Sequence, residues 1–128
     1  MGMDYRYAGS ASYPRFDEEL YKVAQVFGGV KTEHLKEHEQ KQKDEPFGYW
    51  FGTVSSDMSE NDKFAFPEET NKTLIKWFNH IYDDTFTYEE TKEIWEEIKK
   101  HKEIKEISRQ IWEELEITVE NNEGWYIY

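Results

Sequence analysis

The chain has 128 residues, no cysteine, and 28 acidic against 16 basic side chains, for a formal net charge of −12. That length suits one domain over residues 1–128 with room for a core, and the missing cysteine excludes disulfides, thiolate metal sites and cysteine nucleophiles. The negative charge disfavours nucleic acid and anionic membrane surfaces as direct partners.

Only 37% of residues are hydrophobic but 17% are aromatic. The core is therefore small and built largely from rings, each burying about 150–250 Å². No apolar run approaches the roughly 18 residues of a membrane span. The start, Met1 to Arg6, lacks the basic-then-apolar order of a secretory signal. A cytoplasmic location is the expectation.

In chain order, Tyr5 to Ala8 reads as a short strand. Phe16, Leu20, Val23, Ala24 and Phe27 then recur at helical spacing, with Pro14 near the first turn and Gly28-Gly29 supplying a left-handed stop. Residues 31–45 are polar and fit either a solvated helix or a loop. Phe47 to Val54 is aromatic and β-branched, which predicts a central strand, and Lys63 to Phe66 predicts another.

A second helix is expected from Pro67, with Leu74, Trp77, Phe78, Ile81 and Tyr82 on its apolar stripe. Thr87 to Glu90 has the form of a capping box opening a third helix, whose apolar face is Ile94, Trp95 and Ile98. Ile104, Ile107, Ile111 and Leu115 point about 140° away from that face on the same helical wheel. A straight helix cannot bury both stripes, which places a break at Lys100-His101-Lys102 and a fourth helix beyond it.

Leu115, Ile117 and Val119 alternate with polar residues. With the turn chemistry of Asn121 to Gly124 and the β-prone run Trp125 to Tyr128, this predicts a C-terminal hairpin. The expected fold class is α+β: three to four helices packed on a small antiparallel sheet that includes that hairpin.

For function, His34-Leu35-Lys36-Glu37-His38 matches an H-x-x-E-H pattern, in which two histidines one turn apart bind zinc and the glutamate activates water. The segment is rich in lysine and glutamate, and solvated charge patterns produce this spacing by chance. A zinc-dependent hydrolase centred on His34, Glu37 and His38 is thus the alternative reading, and no cofactor or metal is expected on the leading one. Adjacent acids such as Glu113/Glu114 carry little information among 28 carboxylates. Asp57, Glu60 and Asp62 lack the glycine and terminal glutamate of a calcium loop. No serine lies in a nucleophile-elbow context and no glycine pattern forms a phosphate loop.

What remains is a surface. Residues 1–54 carry 9 acids and 7 bases, whereas residues 55–128 carry 19 acids and 9 bases. Asp83, Asp84, Glu89, Glu90, Glu93, Glu96 and Glu97 cluster there, with Tyr82, Tyr88 and Trp95 among them as candidate anchors. The expectation is a non-enzymatic acidic binding protein. It would neutralise a basic nucleic-acid-handling protein, such as a nuclease, by placing carboxylates where phosphates sit. An immunity protein and a phage anti-CRISPR-type inhibitor are two settings with this physics, and a structural or regulatory adaptor is a third reading.

Overall fold

A computed structural model describes residues 2–31, 63–82 and 84–126. It has two short antiparallel strand pairs and, among these residues, five helices. β1 (Gly2–Asp4) pairs with β2 (Ser10–Ser12), Met3 facing Ala11. The expected strand at Tyr5 to Ala8 is instead the connection between them. Tyr5 donates its N–H to the Gly9 carbonyl at 2.8 Å, and Gly9 takes φ +92°, a turn that an extended run cannot contain.

Helix α1 (Tyr13–Val26) follows directly, with Ser12 as N-cap and Pro14 in the first turn. Its stop is a Schellman motif: Gly29 N–H bonds to Ala24 O and Gly28 N–H to Gln25 O, with Gly28 at φ +81°. The chain then enters β3 (Val30–Lys31), which pairs with β4 (Phe64–Ala65), Lys31 facing Phe64. The expected central strand at 47–54 and the open reading of 32–45 lie outside the described residues.

Helix α2 (Lys72–His80) begins five residues later than Pro67 suggests. Pro67 to Thr70 form a turn, and the Asn71 side chain, accepting the Leu74 N–H at 3.0 Å, is the cap that starts the helix. Helix α3 (Tyr88–Ile98) has the full reciprocal capping box between Thr87 and Glu90. The break at 100–102 is present. After it come α4 (Glu103–Ile107) and α5 (Arg109–Glu120), joined at Ser108. That buried serine, with φ −146°, ends one helix and caps the next by accepting the Ile111 N–H.

The C-terminal hairpin does not form. Residues 115–120 are the last turns of α5, because Ile111, Glu114, Leu115 and Thr118 share one buried arc. Asn121-Asn122 is a second Schellman stop. Glu123 N–H bonds to Thr118 O, Asn122 N–H bonds to Val119 O, and Asn122 adopts φ +56°. The left-handed asparagine that suits a hairpin turn suits a helix end equally well. Beyond it, Trp125 is buried in the core.

The fold class is α+β. The core is a continuous set of rings: Tyr5 stands edge-on to Phe16 and Trp125, Trp125 to Trp77, and Trp77 to Phe78, which stacks on Phe66. Helices α2 and α5 both pack against α3.

Candidate functional site

The acidic stretch from Tyr82 to Glu97 divides by what its side chains touch. Thr87 N–H and the Lys76 ammonium hold the Glu90 carboxyl below the usual glutamate value. Glu90 thus closes the N-terminus of α3 and bridges to α2. Glu93 receives the Asn71 amide and the Thr73 hydroxyl, both at 3.0 Å, and makes a second tie between the two helices. These two carboxylates are spent on positioning α3.

Glu96 pairs with Lys99 at 2.9 Å and Glu97 with Lys100 at 3.3 Å. Both pairs join neighbours on an exposed turn, where an ion pair is worth under about 1 kcal/mol and is exchanged readily. Asp84 and Glu89 are exposed, and among the described residues neither has a basic partner. Asp83 lies outside the described residues.

The aromatic members separate in the same way. Trp95 is only 9% exposed and stands edge-on to Trp112 of α5, with 4.9 Å between ring centroids. It is part of the α3–α5 seam, and its expected role as a surface anchor is withdrawn. Its place on the Ile94–Ile98 face already pointed inward. Tyr88 is half-buried in the first turn of α3. Tyr82 is 37% exposed and donates its hydroxyl to Asp17 of α1 at 2.6 Å. Burial, then the Asp17 carboxylate, pushes its phenol well above the ordinary value.

His34, Glu37 and His38 lie outside the described residues, as do Asp57, Glu60 and Asp62. Among the described residues no group of three acids or histidines converges as a metal site. The His101 ring packs edge-on against Phe27 at 4.9 Å, with Nδ1 3.6 Å from Glu103.

One carboxylate from the adjacent pairs that carry little information in the sequence is, among the described residues, a buried one. Glu114 is 2% exposed, and its two oxygens accept the backbone N–H groups of Arg6, Tyr7 and Ala8 at 2.8–3.1 Å. Gln110, one turn earlier, donates to the carbonyls of Ala8 and Ser10. Together they fix the β1–β2 connection on α5. A helical reading of 109–120 places Glu114 on the buried arc; the alternating reading hid it.

Comparison with family models, with curated proteins and with solved structures finds no match to this chain. No helix among the described residues is long and apolar enough to cross a membrane.

Proposed function

We propose that this domain is a non-enzymatic binding protein that occupies the basic surface of a nucleic-acid-handling protein, presenting carboxylates in place of phosphates. The observation that carries this reading is the net charge of −12, borne by a domain whose core is packed with rings. A folded acidic exterior steers association with a basic partner and repels nucleic acid itself.

The exposed carboxylates of Asp84 and Glu89 and the part-exposed, ion-paired ones of Glu96 and Glu97 are the proposed contact set. Glu89, Glu96 and Glu97 project from a helix clamped by its capping box and by two bridges to α2, so little of its ordering remains to be done on binding, and Asp84 precedes the cap of that helix. Immunity proteins of nuclease toxins and phage inhibitors of defence nucleases are the biological settings in which such a surface acts.

The test is capture of a partner on immobilised domain, its identification, and competition with duplex DNA. The expected partner is basic and is displaced by DNA. Reversing Asp84, Glu89, Glu96 and Glu97 together to lysine is expected to weaken binding strongly, whereas reversing Glu33, Glu37 and Glu39 has a smaller effect. If the control set abolishes binding and the α3 set does not, the surface is misassigned.

A further inference from the structure

We propose that the corner between α3 and α4 is a second contact point for the same protein partner, and that it fits an acidic patch beside that partner's basic surface. This inference rests on the α3 reading above and adds the direction in which α3 docks. At this corner the charge of the chain changes sign. Residues 99–109 hold five bases, Lys99, Lys100, Lys102, Lys105 and Arg109, against the two acids Glu103 and Glu106, a net charge of +3 in a chain of −12.

Three of those bases have local partners. Lys99 and Lys100 follow the C-terminal end of α3, where a cation suits the helix dipole, and they pair with Glu96 and Glu97. Arg109 pairs with Glu113 one turn along α5 at 2.8 Å. Lys102 and Lys105 differ. Both are exposed, and among the described residues neither has an acidic partner. Lys102 is also a poor choice for its own position. It starts α4 without a side-chain cap hydrogen bond, a place where serine, threonine, aspartate or asparagine would supply one. Residues that break a local rule in this way concentrate at functional positions.

The corner is held before any partner arrives. Ile104 is fully buried, α4 packs against α1 and α5, and the His101 ring stands edge-on to Phe27 at 4.9 Å. Lys102 and Lys105, three residues apart at a helix turn, are neighbours on one side of it. α3 has 11 residues and is about 16 Å long, which separates the corner from Glu89 at the other end of the helix. A partner that is basic along α3 and acidic past its C-terminal end is matched in one direction only. Nucleic acid is the poorer occupant, because Glu96 and Glu97 beside the corner would face its phosphates.

The partner captured on the immobilised domain is purified, and its dissociation constant is measured with the natural chain and three variants. These are the joint lysine reversal of Asp84, Glu89, Glu96 and Glu97, the pair Lys102→Glu with Lys105→Glu, and the pair Lys102→Gln with Lys105→Gln. Lys102→Glu and Lys105→Glu make the domain more acidic, so a uniformly basic partner would bind that variant more tightly. The expected result is the opposite, binding weakened about tenfold, with a smaller loss for the glutamine pair and an unchanged Tm in both. Glutamate suits the start of a helix, so the reversal leaves α4 intact. Unchanged or tighter binding by the glutamate pair, while reversal of the four acids still weakens it strongly, overturns this inference and leaves the α3 reading standing. Capture of no basic partner, or indifference to both sets, overturns the two together. Duplex DNA is the counter-probe: a gel shift by the natural chain that the lysine variants lose assigns the corner to nucleic acid and overturns the proposal.

Discussion

Trp125 donates its backbone N–H to the hydroxyl of Thr91 at 2.9 Å, and that hydroxyl in turn donates to the Thr87 carbonyl at 2.8 Å. A single buried side chain thereby joins the cap of α3 to the segment that carries a core tryptophan. Thr91→Val keeps the shape and deletes the relay, leaving the Trp125 N–H buried without an acceptor. A loss of about 1–3 kcal/mol is expected. Urea denaturation should show it as a lowered midpoint with an unchanged slope, and Thr91→Ser should recover most of it.

Glu114 satisfies three backbone donors at once. Glu114→Ala strips all three of their acceptor beneath a part-buried connection, and is expected to cost about 1–3 kcal/mol. Glu114→Gln retains one oxygen and should fall between. Hydrogen exchange at Arg6, Tyr7 and Ala8 is the local check: their amides should lose protection in the alanine variant before those of α2 do.

Glu19 gives a pH prediction. Burial raises its carboxyl above the ordinary value, with Arg15 and Ser108 pulling the other way. The folded chain therefore holds this proton to higher pH than the unfolded chain does. Stability from Glu19 is complete below the ordinary glutamate value and is lost as pH rises through the higher folded one. Glu19→Gln should accordingly stabilise the protein near neutrality, and the gain should disappear as pH falls toward the ordinary carboxylate range. Thermal melts of both proteins across that interval decide it; a difference independent of pH would refute the assignment.

Gly124 sits where a side chain has no room. A Cβ there would lie 1.9 Å from the Phe86 carbonyl oxygen. Because Phe86 also donates its N–H to the Trp125 carbonyl, the two segments cannot part without losing that bond. Gly124→Ala is expected to destabilise by about 1–3 kcal/mol or more, seen in the same denaturation assay.

What was legible in the sequence was what local chemistry decides. The Thr87–Glu90 box, the Gly28 stop and the break at 100–102 each depend on residues within one or two turns, and the strand at Phe64–Ala65 was legible from the composition of Lys63 to Phe66. The hairpin was misread because two local signals were ambiguous. Leu115, Ile117 and Val119 alternate as a strand does, and Glu114 interrupts the helical stripe that Ile111, Leu115 and Thr118 otherwise trace. Only the donors of Arg6 to Ala8, more than 100 positions away, explain a glutamate on that face. The acidic surface was overcounted for a similar reason. Lys76 and Glu90 are 14 positions apart and Asn71 and Glu93 are 22 apart, so no local window shows that these carboxylates are engaged.

The contacts of the β1–β2 connection have a kinetic consequence. Arg6 and Tyr7 bond to Glu123, across 117 and 116 positions, and the Tyr5 ring meets Trp125. Helices form within microseconds from neighbours in sequence, but these closures order nearly the whole chain before any of them contributes. The domain should therefore fold more slowly than its helix content suggests, with its helical signal in place ahead of the tryptophan fluorescence that reports the closed core.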